Sequence, residues 1–515
     1  MRKWVWVLAG IIVVLIIAAI VVVRHFEPSV KNRLEKILAE RFDSDVQIGK
    51  LSIRLFPRAS VTVHDVKLYF HHRTDLPPLI SMGEISATSD LASLLLGAKH
   101  DVSLVKLVGL RITIPHGTLH HSQFQPQKQD TEEQGDDGNH LPFLVHKIVA
   151  DGTKLVILSK KPGREPMVWD IQKLTMTSVG AKQPMNFTAT LTNAKPPGLI
   201  DTKGTFGPWK KQDPGSTPLG GHYTFNNADL GVFNGISGLL ASVGDYTGSL
   251  DQIDVEGTTD TPDFRVGNGN PVDLKTKFSA TVDGTNGDTS LHPVDATFGQ
   301  SRFLCNGDVV GTPGIKGKAV RLQVAAPNAR IEDILLLVLD SKQPPLTGDI
   351  NFQSKFLLPQ GDVAVVQKLI LDGRFGLRSF HFTSNKLQNR LDDLSGRSRG
   401  IDKKKDQPTV ASNMKGRFLL KNSVARLTGL SFSVPGILVN LNGTYGLRSE
   451  KLNFHGHVNL QGTLSDMTSG WKSLLLKAVD PFFRHNGRTV LPIKITGTKS
   501  DPNFGLDFHH DKNKH

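Results

Sequence analysis

The amino-acid sequence predicts a mainly β protein that begins with one N-terminal transmembrane helix. Two observations predict this fold class: residues 4–23 form an uncharged apolar run, and most of the remaining chain alternates apolar and polar residues with period two. Turns rich in Gly, Asn and Asp separate the alternating segments. Such alternation is typical of antiparallel sheets with one face in water, so we expect a long antiparallel sheet with a few short helices.

The apolar run reads WVWVLAGIIVVLIIAAIVVV. At a helical rise of about 1.5 Å per residue it is long enough to cross a hydrocarbon core of about 30 Å. Arg2 and Lys3 precede it and Trp4 and Trp6 lie where interfacial aromatics belong, which predicts a cytoplasmic N-terminus and a single pass. A cleaved signal peptide is the alternative. The run is longer than a usual signal core and lacks an A-x-A cleavage pattern, which disfavours it.

A short amphipathic helix is predicted at residues 27–42. Val30, Leu34, Ile37, Leu38 and Phe42 recur there at helical spacing. This helix is expected to lie on the bilayer or to dock on the body of the protein.

The composition limits the possible classes of function. The single thiol, Cys305, excludes an internal disulfide framework and a multi-cysteine metal site. The net charge of +13 suits an anionic lipid surface or nucleic acid, but it also fits an ordinary soluble surface. The chain has 26 Phe against 4 Tyr and 5 Trp, which favours apolar cores or lipid contact over base stacking. We therefore expect no nucleic-acid partner.

The body shows several organising features. Residues 116–141 are polar and aperiodic, which predicts a solvated linker. On its two sides, Ile112-Thr113-Ile114 is echoed by Leu155-Val156-Ile157, as if one β unit were reused. A weak repeat of about one hundred residues, with a helix predicted after Ala228 and another after Ala329, favours an elongated body. The predicted helices of the body are 90–97, 236–242, 331–340, 363–370 and 467–479.

The clearest alternation lies in the C-terminal third of the chain. Its apolar parity must be covered by something, and the predicted helices are too few to cover it all. An ordinary sheet core and an apolar binding groove both remain possible. The residues of this stripe are Phe418, Leu430, Phe432, Val434, Ile437, Val439, Leu441, Leu452, Phe454, Val458 and Leu460.

Motifs for chemistry are weak. Ser398 fits G-x-S-x-G, but its flanks predict a flexible basic loop with Lys403-Lys404-Lys405 rather than a nucleophile elbow. His455 and His457 share one predicted strand face, which could hold Zn²⁺, yet no carboxylate or Cys lies at a helpful spacing. A solvated β face is the better interpretation. No catalytic residue, metal or cofactor is predicted, so we do not expect an enzyme.

The two ends of the chain resemble the AsmA-like family of Gram-negative envelope proteins. At the N-terminal end, Val46-Gln47-Ile48-Gly49-Lys50-Leu51, Phe56-Pro57 and Val63-His64-Asp65-Val66 carry the similarity. At the C-terminal end it rests on Leu491-Pro492-Ile493-Lys494-Ile495 and Asp501-Pro502-Asn503-Phe504-Gly505. The resemblance covers about residues 1–115 and 425–508, and the middle of the chain fits only by its β pattern.

The resemblance implies an inner-membrane anchor, a periplasmic body and a curved β-sheet groove lined by apolar side chains, as in bridge-like lipid-transfer proteins. The implied function is handling or transfer of lipid, with phospholipid expected, in support of outer-membrane homeostasis. The stripe residues would then line the groove, and a protein partner in the envelope or self-association would help to span it. The alternative is a non-enzymatic assembly factor that binds outer-membrane proteins through sheet edges. The expected divisions are an anchor at 1–25, an N-terminal module at 26–115, the linker at 116–141, a β-repeat region at 142–395, a basic loop at 396–411, a C-terminal module at 412–508 and a tail at 509–515.

Overall fold

A computed structural model places most of the body of the chain. It describes residues 31–32, 35–36, 39, 44–54, 59–70, 77–89, 101–114, 144–158, 166–179, 183–194, 196–210, 213–315, 317–361, 363, 365–399, 409–461, 484–485, 488–498 and 501–507. The predicted membrane run at 4–23, the linker, the helices at 90–97 and 467–479, and the tail lie outside these residues. None of the helices in the described ranges combines the length and the apolar character that a membrane crossing requires.

The protein is mainly β, as predicted, and its long sheet is mixed rather than purely antiparallel. The chain divides into two compact units. Unit 1 comprises Met1–Ala228, Val243–Glu256 and Thr281–Gly287, and unit 2 comprises Asp229–Ser242, Gly257–Ala280 and Asp288–His515. The division falls before the last residue of β11 (Pro218–Asp229) and inside three strands that the units share, which are β13 (Leu239–Ser249), β14 (Gln252–Val266) and β15 (Val272–Asp283).

The other strands of unit 1 come from the first 229 residues. They are β1 (Ser44–Arg54), β2 (Ala59–Phe70), β3 (Ile80–Ser89), β4 (Asp101–Val102), β5 (Leu104–Val108), β6 (Arg111–Ile114), β7 (Leu144–Ile157), β8 (Met167–Val179), β9 (Met185–Ala194), β10 (Pro197–Phe206) and β11 (Pro218–Asp229). A one-turn 3-10 helix, Pro214–Ser216, precedes β11.

Parallel pairing explains the echo in the sequence. β5 and β6 pair with β7 in parallel, and Ile112, Thr113 and Ile114 lie directly opposite Leu155, Val156 and Ile157. The two segments are therefore neighbours that share one in-and-out pattern. β4 also pairs with β7 in parallel, whereas the pairings from β1 to β3 and from β7 to β11 are antiparallel.

The apolar face of unit 1 is continuous across these pairings. One row of directly opposed residues crosses seven strands from β1 to β9 and then reaches hydroxyl-bearing side chains on β10 and β11. Thr202 Oγ1 and Tyr246 Oη lie 2.7 Å apart at that point. The row consists of Leu51, Val63, Ile85, Leu107, Ala150, Leu174, Ala189, Thr202 and Tyr223.

The described part of the predicted helix at 27–42 contacts the body. Residues 31, 32, 35, 36 and 39 are helical. Glu35 Oε1 accepts a hydrogen bond of 2.9 Å from Ile48 N, and Lys31 Nζ donates one of 3.1 Å to Gly49 O. Both bonds engage backbone groups of β1, which pairs with β2.

Unit 2 is built from antiparallel hairpins. Its strands, apart from the three shared ones, are β12 (Ile236–Ser237), β16 (Thr289–Phe298), β17 (Ser301–Val310), β18 (Ala319–Arg330), β19 (Leu346–Leu358), β20 (Ile370–Phe382), β21 (Ser412–Lys421), β22 (Val424–Val434), β23 (Ile437–Gly446), β24 (Leu452–Leu460), β25 (Arg484–His485), β26 (Arg488–Gly497) and β27 (Pro502–Leu506). Its helices are α1 (Ile331–Val338), α2 (Val365–Lys368) and α3 (Asn385–Ser398), with a 3-10 turn at Leu230–Val232.

Of the three helices predicted for the described part of unit 2, one is present, one is shorter than predicted and one is replaced by strands. The helix predicted at 331–340 is present as α1, and the one at 363–370 is reduced to the single turn of α2. The helix predicted at 236–242 is wrong, because this segment forms β12 and the start of β13. Gly235 and Gly238 adopt positive φ angles of 102° and 136°, which end any helical turn there.

Candidate apolar binding face

The stripe residues predicted from the sequence all lie on one face of unit 2. Cross-strand registers place their side chains in successive rows, because directly opposed residues in a sheet point to the same side. We call this surface the apolar face and name its rows by position. The middle row runs through Cys305, Val324, Ser354, Gly373, Phe418, Leu427, Gly443, Phe454 and Ile495.

Two further rows flank the middle row. The helix-side row lies toward the strand ends that lead into α1 and α3, and it consists of Ala329, Ile350, Leu377, Met414, Phe432, Val439, Val458 and Leu491. The turn-side row lies toward the opposite strand ends, and it consists of Gly307, Leu322, Phe356, Leu371, Leu420, Ala425, Tyr445 and Leu452. The other predicted residues pair on the same face, as Leu430 with Leu441 and as Val434 with Ile437 and Leu460.

The helix-side end of the apolar face is closed by the protein itself. Phe298, Phe303, Ala329, Ile350 and Phe380 are among the buried residues of one core cluster, against which Leu335 and Leu337 of α1 pack. A second cluster joins Val410, Val434, Ile437 and Leu460 to Leu391 of α3. Three of the predicted groove residues, Val434, Ile437 and Leu460, therefore belong to an ordinary core.

The middle and turn-side rows are more open, except at Phe454 and Leu420, which are buried. Cys305, Val324, Phe356, Phe418 and Leu452 are all partly exposed. Burial still raises the pKa of the Cys305 thiol, which marks its surroundings as apolar. This part of the apolar face is a surface that another apolar molecule could cover.

Glycines let two phenylalanine rings lie flat on the sheet. A Cβ at Gly373 would lie 2.7 Å from Cζ of Phe418, and a Cβ at Gly443 would lie 2.6 Å from Cδ1 of Phe454. Each ring therefore occupies the space above a glycine on the neighbouring strand. Further ring pairs continue along the face, with centroid distances of 6.3 Å for Phe375–Phe418 and 6.0 Å for Phe380–Phe432.

The opposite face of unit 2 is polar and carries cross-strand ion pairs. Arg302 Nε lies 2.8 Å from Asp295 Oδ1, and Arg321 Nε lies 2.8 Å from Asp308 Oδ1. The first pair holds the pKa of the Asp295 carboxyl below its usual value. Leu304, on this face between the two pairs, is 39% exposed. Unit 2 therefore has one polar, solvent-exposed face and one apolar face.

The motif residues do not form a catalytic site. Ser398 is buried at the end of α3 and donates to Gly436 O, and the neighbouring Ser395 donates to Pro435 O at 2.6 Å. The prediction of a flexible loop from residue 396 is wrong up to Ser398, because α3 extends to that residue; residues 400–408 lie outside the described part. The two serine hydroxyls fasten α3 to the β22–β23 turn.

His455 has a carboxylate partner that sequence spacing did not reveal. Its Nδ1 lies 2.6 Å from Oδ2 of the buried Asp507, and its Nε2 lies 3.0 Å from Asn453 Oδ1. Both ring nitrogens are thus occupied by this polar network. Across the described ranges, no group of three or more His, Cys, Asp or Glu side chains is arranged to hold a metal ion.

Comparisons with known proteins give no further guide to the function of this face. No family model, no curated protein and no solved structure matches the chain.

Proposed function

We propose that this chain is a membrane-anchored, non-enzymatic protein that handles or transfers lipid, with phospholipid as the cargo. Its acyl chains would lie along the middle and turn-side rows of the apolar face. The anchor would be the apolar run at 4–23 in the inner membrane, with the body in the periplasm supporting outer-membrane homeostasis.

The observation that supports this proposal is the set of three apolar rows in register across β18 to β24, whose helix-side row is closed by protein while most described residues of the other two rows are partly exposed. An acyl chain has no polar group that requires a partner. It gains about 0.8 kcal/mol for each methylene removed from water, so a linear row of partly exposed Phe, Leu and Val side chains suits it. The polar opposite face accounts for solubility while the apolar face is occupied.

The assembly-factor alternative has less support. Strand addition needs a free sheet edge, and Ile48 N and Gly49 O of β1 are already engaged by Glu35 and Lys31. Co-purification of a polypeptide instead of lipid would nevertheless favour this alternative.

The test is lipid retention by the purified full chain, measured by mass spectrometry after detergent extraction and exchange. Phe418→Glu places a charge on the open part of the apolar face, whereas Leu304→Glu places the same charge on the polar face. We expect phospholipid in the wild-type protein, a several-fold loss in the Phe418 variant and no change in the Leu304 variant.

Circular dichroism and thermal melting establish that both variants are folded. Because both variants carry the same membrane anchor, lipid bound to the anchor cancels in the comparison. Equal retention by the two folded variants would reject the apolar face as the lipid site.

A further inference from the structure

One end of unit 2 presents an exposed aliphatic side chain at or next to each of four hairpin connections. Successive antiparallel strands place the β17–β18, β19–β20, β21–β22 and β23–β24 connections at the same end, opposite to α1 and α3. We call this the turn end. Its exposed side chains are Ile315 (53%), Val363 (55%), Val424 (42%) and Leu447 (37%).

Hydrogen bonds hold these connections together in pairs. Gln360 Nε2 donates to Ile315 O at 3.2 Å and to Gly317 O at 2.6 Å, which ties the second connection to the first. Leu447 N donates to Ser423 O at 2.8 Å, which ties the fourth connection to the third. The connections that carry the aliphatic side chains are thus joined into two hydrogen-bonded pairs.

Basic residues accompany two of these side chains, Val424 and Leu447. Between residues 417 and 451 the sequence has one acidic residue, Glu450, and five basic ones, all exposed: Arg417, Lys421, Arg426, Arg448 and Lys451. Leu419, which is 40% exposed, lies between the first two basic residues on the polar face. Elsewhere on that face Arg302, Arg321 and Arg330 are paired with carboxylates.

Two basic residues of the polar face occupy directly opposed positions on neighbouring strands. Arg417 lies directly opposite Arg374, a like-charge arrangement that disfavours folding unless an anion offsets it. Arg374 donates to the neutral amide oxygen of Gln353, at 2.7 Å from Nη2. Strands β20 to β22 carry an excess of positive charge next to the turn end, with one acidic residue, Asp372, against Arg374, Arg378, Lys415, Arg417, Lys421 and Arg426.

We propose that the turn end docks on the surface of an anionic phospholipid bilayer. Exposed aliphatic tips set among Lys and Arg match the boundary between acyl chains and acidic headgroups. Among the described residues, the exposed large hydrophobic side chains of this end are all aliphatic, whereas single-stranded nucleic acid is held by aromatic stacking. The turn-side row begins at these same connections, so an acyl chain leaving the bilayer there meets the apolar face directly.

The docking proposal rests on the proposed function in one respect, which is that lipid handling is the purpose that docking would serve. It is measured by membrane association, whereas the lipid proposal is measured by retention, so the two proposals fail separately.

The experiment uses the full chain held in phosphatidylcholine nanodiscs and tests capture by separate vesicles. The vesicles contain phosphatidylcholine alone or phosphatidylcholine with phosphatidylglycerol. Two double variants change the turn end: Val424→Asp with Leu447→Asp, and Lys421→Glu with Arg448→Glu. The matched control is Val338→Asp with Lys342→Glu; both residues are exposed, and they lie on α1 and just after it, at the other end of the strands.

We expect capture by phosphatidylglycerol vesicles, weaker capture by neutral vesicles, and a loss of about tenfold in both turn-end variants. The control should bind like the wild type, and all proteins should retain the same amount of lipid. The proposal is overturned if the wild type is not captured, if the turn-end variants bind normally, or if the control loses binding equally. Capture by immobilised polyglutamate without capture by vesicles would also overturn it, in favour of an acidic polypeptide.

Discussion

Gly49 of β1 and Asp65 of β2 face each other across the first hairpin, at a point where the two strands approach each other closely. A Cβ at Gly49 would lie 3.0 Å from both Asp65 Cβ and His64 O. Asp65 itself has a positive φ of 54°. This local irregularity lets Ile48 and Leu51 both reach one core cluster, together with Val63 and Val66, although each pair is separated by two residues rather than one.

Replacement of Gly49 by Ala should therefore destabilise unit 1. The added methyl group has to displace the Asp65 side chain or the β2 backbone, and overpacking of this kind costs about 1–3 kcal/mol. Chemical denaturation measures the change. Gly83→Ala in β3 is the control, because its nearest contact would be Val108 O at an ordinary 3.5 Å. Similar losses in the two variants would show that close approach to Asp65 is not the cause.

Cys305 offers a native probe of the apolar face. Its thiol lies in the middle row, so bound lipid should cover it and slow its alkylation by a maleimide several-fold relative to delipidated protein. The matched control is Leu304→Cys in a Cys305→Ser background, which moves the thiol by one residue to the opposite face. Lipid loading should leave the rate of the control unchanged; equal protection of both thiols would place the lipid elsewhere.

The pH dependence of the same reaction follows from the raised pKa of Cys305. Burial disfavours the thiolate, which is the reactive form. The alkylation rate of the delipidated protein should therefore be low at neutral pH and reach half of its maximum above the pH found for an unhindered cysteine. The Leu304→Cys thiol should titrate at a lower pH than Cys305.

Asp392 should be important for the closed end of the apolar face. It is buried in α3 and accepts hydrogen bonds from Val410 N at 2.9 Å and from Gln388 Nε2 at 2.8 Å. Asp392→Ala leaves both donors without this acceptor, at a cost of about 1–3 kcal/mol. Hydrogen exchange should then be faster in α3 and around Val410. Asn389→Ala, at an exposed position of the same helix, should leave exchange unchanged; unchanged protection in the Asp392 variant would contradict the assigned role.

The β pattern was predictable wherever one face of a strand is wet. In β19, Ile350 is buried and Asn351 and Gln353 are exposed, as the alternation predicted. β23 and β24 likewise place the predicted apolar residues on one face. Period-two patterning fixes parity within a strand because a slip of one residue would turn every apolar side chain to water.

Features that depend on contacts distant in the sequence were not predictable. The pairing of His455 with Asp507 joins a residue of β24 to one that directly follows β27, 52 positions away in the sequence. The core role of Val434, Ile437 and Leu460 depends on α3, which sequence reasoning missed. Leu387, Leu391 and Leu394 recur there at helical spacing, which is the signal that could have predicted the helix.

The parallel pairing of β6 with β7 bears on the polar stretch between them, which was predicted as a linker at residues 116–141. β6 ends at Ile114 and β7 begins at Leu144, and the two strands are parallel neighbours, so the described segments before and after this stretch belong to one ladder. A protease cut in that stretch would produce two fragments that remain bound to each other through their shared ladder.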